Sequence, residues 1–400
     1  MKPITEKVKI SEILDRGVIV DILPSKEKLI EAMSSGKRLK MYIGADPTST
    51  SLHLSHAKNY MLLEEFRQLG HEVIVLFGDF TARIGDPSGR KDSRPQLSKK
   101  QITENVKGWV KQIKPLLNFN DKKNPPRIMY NSKWLSKLSF EDIIHLSSQF
   151  TVQQMLERDM FQKRLHENAP IYLHEFLYPL MQGYDSVAMD VDIELCGTDQ
   201  TFNALAGRTL MRKLKDKEKF VVIVNLMENP KTHELMSKSR GTGVFLASPA
   251  DDMYGALMAQ PDEMTEIFFV NCTRIPLAQK SAVLALGPKA AKERIAFEIV
   301  KTMHGEKKAQ LAQENFDKLF SKHEMPNDLP ELKLKIGERA VIDIVFASGV
   351  VKSKGESRRL IEQGGFEIDG KVVKDPAEAL GLKGGEAVKI GKKSFFRIKT

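Results

Sequence analysis

Two short polar strings that lie far apart in the chain carry groups suited to work on a triphosphate. His53 and His56 are one helical turn apart at the start of a predicted helix, so their imidazoles share a face. The free N–H groups of a helix N-terminus attract phosphate. Lys238 lies in a Ser- and Gly-rich stretch after a predicted strand, where a mobile ammonium can close over departing pyrophosphate. Together the strings predict one nucleotide site that acts by positioning and by stabilising charge.

Other polar residues follow predicted turns and strand ends, from which they can reach the same nucleotide. Thr48, directly after Pro47, adds a hydroxyl donor close to the helix start. Arg90 follows a glycine-bearing turn and is a second predicted phosphate contact. Asp199 follows the predicted strand 191–195, and a carboxylate at such a strand end can accept hydrogen bonds from ribose hydroxyls. We therefore expect a nucleotide site assembled from several loops.

A second constellation combines a phenol, an amide and a carboxylate. Tyr178, Gln182 and Asp185 are spaced four and three residues apart, so one helical face can present all three. Pro179 interferes with a regular helix and predicts a kink or a helix start. Tyr42 lies near the end of the first predicted strand, two residues before a glycine. The alternative is an ordinary polar helix face without a ligand.

Alternating strand and helix patterns must position these side chains. Residues 39–44 predict a short strand, and residues 53–69 predict a helix that is capped by Gly70. The continuous apolar run 73–77 is typical of a parallel strand covered on both faces, and 221–224 is a second such run. Strand, helix and strand in this order predict an α/β domain with a Rossmann-like, doubly wound parallel sheet.

We expect this catalytic domain to cover residues 1–245 and a helical domain to cover 246–330. The second segment loses the strand signal, and its stretches 290–304 and 307–320 have helical periodicity. Prolines and turn formers at 326–330 predict a linker.

A small α+β module is predicted for the remaining residues, 331–400. Ser353 and Glu356 predict a capping box at the start of a basic helix. The dipeptide Asp369-Gly370 lies between two short apolar runs and is a strong signal for a two-residue hairpin turn.

The composition indicates the class of partner and excludes several kinds of site. Lys plus Arg is 62 against 52 for Asp plus Glu, and the resulting charge of +10 suits a polyanionic partner. Cys196 and Cys272 are far apart and neither lies in a CxxC pair, so we expect no disulfide framework, no bound metal and a cytoplasmic protein. No long apolar run follows the charged N-terminus, so we expect no signal peptide and no membrane contact.

The strings His53-Leu54-Ser55-His56 and Leu235-Met236-Ser237-Lys238-Ser239 resemble the HIGH and KMSKS signatures of class I aminoacyl-tRNA synthetases. The residues between them narrow the resemblance to the bacterial tyrosyl-tRNA synthetase family. The resemblance implies that the carboxylate of L-tyrosine attacks the α-phosphate of ATP, supplied with Mg²⁺, before tyrosine passes to tRNA. It also implies that Thr48 and His53 bind the γ-phosphate in the transition state, and that His56 steadies ATP.

The same resemblance assigns the two substrates to separate sets of residues. Tyr42 and Asp185 would bind the phenol of the substrate. Its ammonium would be bound by Tyr178, Gln182 and Asp86, and Gln200 would lie beside its carboxylate. The implied tyrosine contacts are Tyr42, Gly44, Asp86, Tyr178, Gln182, Asp185 and Gln200. The implied ATP contacts are Asp46, Ser55, Gly197, Asp199, Met236, Ser237, Lys238 and Ser239, and Lys238 with Arg90 completes the implied catalytic set.

The C-terminal module resembles the αL RNA-binding module of ribosomal small-subunit protein four, which also ends bacterial tyrosyl enzymes. The implied contacts with the tRNA for tyrosine are Lys352, Lys354, Arg358, Arg359 and Lys371. The helical domain is expected to share this task through phosphate and shape contacts. The family also implies a homodimer, and an apolar patch near residues 130–165 is the interface we expect.

Three positions depart from the family pattern. Ser55 replaces the HIGH glycine and brings a side chain towards the adenine. Leu235 replaces the first KMSKS lysine and removes a pyrophosphate contact, and Cys196 replaces a residue that is often glycine. Because both imidazoles and the loop lysine remain, we expect retained activity with altered ATP affinity.

Two alternatives remain open from the sequence. The first is the sister enzyme for tryptophan, which shares the fold but which the pair Tyr42 and Asp185 argues against. The second is an RNA-binding paralogue without catalysis, which Ser55 and Leu235 motivate.

Overall fold

A computed structural model describes residues 2–86, 97–235, 243–320, 329–335, 337–391 and 394–399. Contacts within the chain divide it into two compact units, Met1–Gln313 and Glu314–Thr400. The first two of the three predicted domains therefore lie largely in one compact unit, and the three-part division remains a prediction. Residues 326–328 of the linker predicted at 326–330 lie outside the described residues.

The first unit is built around a six-stranded sheet with the order β1-β6-β5-β2-β3-β4. Its strands are β1 (Ile19–Leu23), β2 (Lys40–Ala45), β3 (Glu72–Phe77), β4 (Arg127–Tyr130), β5 (Ile193–Gly197) and β6 (Phe220–Val224). All neighbouring pairs are parallel except β1 and β6. The predicted doubly wound sheet is confirmed, with one correction at its edge. Strand β1 lies outside the strand–helix–strand units whose crossovers make neighbours parallel, so it can run antiparallel.

Helices of the first unit pack on this sheet and on one another. They are α1 (Lys7–Leu14), α2 (Lys26–Ser34), α3 (Leu54–Gln68), α4 (Thr81–Ile84), α5 (Lys99–Ile113), α6 (Ser132–Leu135), α7 (Phe140–Ser147), α8 (Val152–Leu156), α9 (Asp159–His166), α10 (Leu173–Met189), α11 (Thr201–Lys215), α12 (Ala250–Met258), α13 (Met264–Cys272), α14 (Lys280–Leu284), α15 (Pro288–His304) and α16 (Glu306–Phe320), which crosses the unit boundary. Helix α3 contacts β2 and β3, α11 contacts β5 and β6, and α13 contacts α3. Within the described ranges, every helix is too short or too polar to cross a membrane.

Local patterns in the first unit were predicted well where periodicity and capping decide the structure. The apolar residues of β3 are buried, as a strand covered on both faces requires. Helix α3 is followed by Gly70 with a φ of 95°, a conformation that favours glycine. Pro179 lies inside α10, so the alternative that a helix starts there is wrong.

In its described residues, the second unit combines two small sheets with two helices that follow the end of α16. Its elements are β7 (Glu331–Lys333), β8 (Gly337–Ala340), α17 (Val341–Ala347), α18 (Lys354–Glu362), β9 (Phe366–Ile368), β10 (Lys371–Val372), β11 (Ala379–Leu382), β12 (Ala387–Ile390) and β13 (Ser394–Lys399). One sheet has the order β10-β9-β12-β13-β7, and β11 pairs with β8 in the other. The expected hairpin is confirmed, because Asp369 and Gly370 both have positive φ between β9 and β10.

The predicted capping box at the start of α18 is only half correct. The Ser353 hydroxyl accepts from the Glu356 main-chain N–H at 3.2 Å. The Glu356 carboxylate, however, accepts from the main-chain N–H of Lys352 at 2.9 Å, one residue before the cap. The glutamate side chain is long enough to reach past the cap, so the helix start is stabilised without the reciprocal bond.

The sheet of the first unit reverses its strand order between β2 and β5. From this point the chain proceeds outwards to β3 and β4 on one side and to β6 on the other. Such a switch point opens a crevice outside the carboxyl ends of the two strands. Gly44 near the end of β2 and Gly197 at the end of β5 border this crevice.

Candidate functional site

A cavity of about 380 Å³ occupies the crevice at the carboxyl ends of β2 and β5. The residues predicted from the sequence that line it are Gly44, Asp46, Thr48, Ser55, His56, Asp86, Tyr178, Gln182, Asp185, Gly197, Asp199 and Gln200. Tyr42 and His53 are chain neighbours of this lining, in β2 and at the start of α3. The structure therefore brings the described members of both constellations to one cavity.

The start of α3 holds the two imidazoles against each other. Their ring centroids are 4.0 Å apart, and the main-chain N–H of His53 donates to Nδ1 of His56 at 3.3 Å. Burial, together with a smaller effect of the nearby His53, lowers the pKa of His56 to about 3. Burial also lowers the pKa of His53. His56 is therefore neutral at pH 7 with its proton on Nε2, where it can donate to a phosphate oxygen.

Main-chain hydrogen bonds join the first polar string to the chain that follows the second. The N–H of Leu54 donates to the carbonyl of Val244 at 3.0 Å, and the N–H of Leu246 donates to the carbonyl of Leu52 at 2.9 Å. The segment 244–246, which follows the second string, therefore lies beside the start of α3. The last four residues of that string, Met236, Ser237, Lys238 and Ser239, lie outside the described residues, as does Arg90, and their contacts remain predictions.

Asp46, which follows β2, is held from two sides. The hydroxyl of Tyr178 donates to its Oδ2 at 2.9 Å, and the hydroxyl of Thr81 donates to its Oδ1 at 2.7 Å. A Cβ atom at Gly78 would lie 2.0 Å from Oδ1, so only glycine leaves room for this carboxylate. Tyr178, predicted for the ammonium, and Asp46, predicted for ATP, thus meet in one hydrogen bond.

The buried part of the site contains the predicted phenol contacts, Tyr42 and Asp185. The carboxylate of Asp185 accepts from Trp134 Nε1 at 2.7 Å and from Asn131 Nδ2 at 3.3 Å. Burial raises the pKa of Asp185 well above its usual value, although these two donors act in the opposite direction. The hydroxyl of Tyr42 lies 3.0 Å from Oγ of Ser186. These three partners, Trp134, Asn131 and Ser186, were not predicted from the sequence.

Amide side chains connect carboxylates that line the cavity. Nε2 of Gln200 donates to Asp86 at 2.8 Å and to Asp199 at 3.2 Å. Nε2 of Gln182 donates to Oε1 of Glu194 at 3.1 Å. Each amide thereby turns its nitrogen towards a carboxylate and leaves its oxygen to accept hydrogen bonds from other groups.

Comparison with known proteins identifies the family. The family described as tRNA synthetases class I (W and Y) matches residues 34–321, and the S4 domain family matches residues 342–385. The tyrosine–tRNA ligase of Moorella thermoacetica is 39% identical over 397 residues, which is 97% of this chain and 95% of the relative. The chain belongs to the tyrosine–tRNA ligase family of class I tRNA synthetases. A second member of this family, from Thermotoga maritima, is 39% identical over 98% of this chain and 97% of its own length.

Solved structures of this family share the fold of the ligase. A C-terminally truncated mitochondrial tyrosyl-tRNA synthetase of Aspergillus nidulans has a TM-score of 0.66 and 21% identity, covering 78% of this chain and 94% of that one. The tyrosyl-tRNA synthetase of Archaeoglobus fulgidus, complexed with L-tyrosine, has a TM-score of 0.58 and 16% identity, covering 76% and 99% of the two chains. At these identities the likeness concerns the fold alone.

The cavity of this ligase is also lined by a buried lysine that was not predicted from the sequence. Lys58 lines the cavity beside Ser55, is 2% exposed, and donates from Nζ to the main-chain carbonyl of Asn225 at 2.5 Å. Burial lowers its pKa to about 8. Its only sequence signal is a charged residue on the apolar stripe of α3, four residues after Leu54. Cys196 also lines the cavity, and burial raises the pKa of its thiol, which keeps it unreactive.

The cations predicted to bind tRNA lie on the surface of the second unit. Lys352, Lys354, Arg358, Arg359 and Lys371 are all exposed. Lys354 forms an ion pair with Asp343 at 2.7 Å, so part of its charge is already neutralised within the module. Their contact with tRNA remains a prediction.

Replacing Gly78 with alanine is expected to lower kcat/KM for amino acid activation by about 10- to 100-fold. The methyl group must displace Asp46, and a hydrogen bond to a charged group contributes about 1.5–3 kcal/mol. The measurement is ATP–pyrophosphate exchange. Gly255→Ala is the matched control, because no atom lies within 4 Å of the added Cβ. A similar loss in the control would contradict the role given to Asp46.

Proposed function

We propose that this chain activates L-tyrosine with Mg·ATP and transfers it to the 3′-terminal adenosine of the tRNA for tyrosine. The observation that supports it most is the joining of two chemistries in one cavity. At one end, neutral imidazoles and the N-terminus of α3 can donate to phosphate. Close to them, the buried carboxylate of Asp185 and the buried phenol of Tyr42 can bind the hydroxyl group of a tyrosine substrate.

The first step needs positioning and charge stabilisation, not a covalent nucleophile. A carboxylate oxygen of tyrosine forms a bond to the α-phosphorus, the bond to the bridging oxygen breaks, and pyrophosphate leaves with the electron pair. His56 lines the cavity with a donor on Nε2, and Thr48 lines it with a hydroxyl. Fixed donors of this kind stabilise charge as it develops on the phosphates. The loop lysine, Lys238, and Arg90 are proposed to act on the leaving group.

Magnesium is proposed to arrive with ATP as part of the substrate. Among the described residues, no group of three or more His, Cys, Asp and Glu side chains could hold a metal ion. The carboxylates of Asp86 and Asp199 line the cavity, where they border the space available to Mg·ATP. We propose that Asp199 accepts from the ribose hydroxyls and that Asp86 binds the substrate ammonium.

Tyrosine is selected over phenylalanine because the site is built for a hydroxyl group. Asp185 is 3% exposed and Tyr42 is 1% exposed, so neither is solvated by bulk water. A substrate without the phenolic oxygen would leave these buried polar groups without their partner, which is unfavourable. The pair also disfavours tryptophan, whose indole has a donor but no acceptor.

The test is ATP–pyrophosphate exchange with tyrosine, tryptophan and phenylalanine as separate substrates. Exchange that depends on tyrosine supports the proposal, whereas exchange that free tryptophan sustains or competes for favours the sister enzyme. No exchange at saturating ATP and Mg²⁺ would favour an RNA-binding paralogue. Lys238→Ala separates the last case, because it should abolish exchange in a ligase and leave RNA affinity unchanged in a binding protein.

We also propose that the ligase works as a homodimer in the cytoplasm, where tRNA is charged. Near the predicted interface, Phe140 of α7 is 77% exposed and Val152 of α8 is 65% exposed. Leu173, at the start of α10 and outside the predicted range, is 83% exposed. A contiguous patch of exposed apolar side chains is typical of an interface between subunits, and we propose that these residues belong to one. The molecular mass in solution is the quantity that tests it.

A further inference from the structure

A buried ion pair lies directly behind the tyrosine side of the cavity. Lys219 immediately precedes β6 and its side chain is 0% exposed, while Glu194 in β5 is 2% exposed. The lysine ammonium contacts the Glu194 carboxylate and donates to Oγ of Ser186 at 3.0 Å. A lysine is almost never fully buried unless it is paired, and such a pair adds little stability by itself. Stability therefore does not account for the presence of this buried ion pair.

The packing around the ammonium leaves space for this one group. A Cβ atom at Gly207 of α11 would lie 2.5 Å from the lysine Nζ and 3.0 Å from Oγ of Ser186. A larger residue at this position would thus displace the lysine from both of its partners. The absence of a side chain at Gly207 therefore leaves room beside α10 for the ammonium of Lys219.

One branch of the network leads to the amide of Gln182. The Glu194 carboxylate that faces the lysine also accepts from Nε2 of Gln182 at 3.1 Å. An ionised carboxylate has acceptors only, so the amide must present its nitrogen to Glu194. Its oxygen is then the atom left for the cavity, and an oxygen is what a substrate ammonium requires.

The other branch leads to the hydroxyl of Tyr42. Because Lys219 can only donate, Ser186 accepts from it and uses its own hydrogen elsewhere. The Tyr42 oxygen is 3.0 Å away, whereas the Glu194 oxygen is 3.5 Å away, so donation to Tyr42 is the better bond. The hydrogen of the Tyr42 hydroxyl is thereby directed away from Ser186, to the Glu194 carboxylate that adds to burial in raising the pKa of Tyr42 or to a phenolic oxygen that enters the site, while Asp185 accepts from the phenol.

We propose that Lys219 is a positioning residue that sets hydrogen-bond polarity at both ends of the tyrosine site. It does so by keeping Glu194 ionised and by donating to Ser186. Without the cation, a buried carboxylate takes up a proton. Glu194 can then donate, so Gln182 is free to turn its nitrogen towards the substrate ammonium, and Ser186 loses its fixed donor. This proposal rests on the proposed tyrosine activation.

The test compares Lys219→Met with the wild type in ATP–pyrophosphate exchange. We expect KM for tyrosine to rise by about tenfold or more, because Gln182 is no longer fixed as an acceptor and Tyr42 is no longer fixed as a donor towards the substrate. KM for ATP should change by less than about threefold, since its predicted contacts lie outside this network. The preference for tyrosine over phenylalanine should fall as well. An unchanged KM for tyrosine in the folded variant would overturn the proposal.

Two further variants separate positioning from stability. Arg67→Met removes another buried cation of the first unit, whose ion pair with Glu64 lies at the far end of α3. It should lower the unfolding temperature and leave KM for tyrosine unchanged. The double variant Lys219→Met with Glu194→Met removes the unpaired charge, so stability should return while KM for tyrosine stays high. A normal KM for tyrosine in the double variant would also overturn the proposal for Lys219. If the wild-type protein shows no tyrosine-dependent exchange, the proposed function itself is wrong.

Discussion

The substitution Asp185→Asn is expected to lower kcat/KM for tyrosine activation by about 100-fold or more. The carboxylate accepts from Trp134 Nε1 and from Asn131 Nδ2, and we propose that it also accepts from the substrate phenol. An amide of the same shape replaces one accepting oxygen with a nitrogen that can only donate. A charge-assisted bond worth about 1.5–3 kcal/mol is lost, and a donor then faces a donor, which accounts for the expected loss.

The decisive measurement is the ratio of kcat/KM for tyrosine to that for phenylalanine. Because phenylalanine brings no hydroxyl to Asp185, its activation should change much less than that of tyrosine. Asp79→Asn is the matched control: this carboxylate accepts from the N–H of Ser132 at 2.9 Å and from its hydroxyl at 2.6 Å, at the start of α6. Equal losses for tyrosine and phenylalanine, or an equal loss in the control, would mean that Asp185 acts through the fold alone.

The elements that position the site could be predicted because their signals are local. The apolar run of β3, the stripe and glycine cap of α3 and the turn at Asp369-Gly370 depend on residues within a few positions of one another. The antiparallel direction of β1 depends on its pairing with β6, some two hundred residues away. Periodicity carries no information about such a partner, so this direction was missed.

The same distinction applies to the site itself. Tyr42, Gln182 and Asp185 could be proposed from helical spacing and from a family resemblance. Their partners could not, because Trp134 lies 51 residues from Asp185 and Glu194 approaches Lys219 only after β5 and β6 have paired. These partners decide which atoms donate and which accept. The sequence therefore supplies a hypothesis about which groups meet the substrate, whereas only the folded structure indicates which of their atoms donate and which accept hydrogen bonds.

Loss of the second unit is expected to separate the two steps of the reaction. The cavity lining lies within the first unit, so a chain that ends at Phe320 should keep ATP–pyrophosphate exchange within about twofold. Charging of tRNA should fall by about 100-fold or more, because the five exposed cations of the module are lost as phosphate contacts. Both activities are measured on the same preparations, exchange with tyrosine and charging with tRNA for tyrosine. If the shortened chain charges tRNA as well as the full chain does, the module does not contribute to tRNA binding.

Point substitutions within the module give a finer version of this test. Arg358→Ala combined with Arg359→Ala should weaken tRNA binding and reduce the dependence of affinity on salt, because fewer counterions are released. Lys354→Ala is the matched control, since its ammonium is already paired with Asp343 at 2.7 Å and contributes less to an external phosphate. The measurement is tRNA affinity across a series of salt concentrations. If the lysine variant loses as much affinity and salt dependence as the double arginine variant, the ion pair opens on binding, and the contact face includes the N-terminal end of α18.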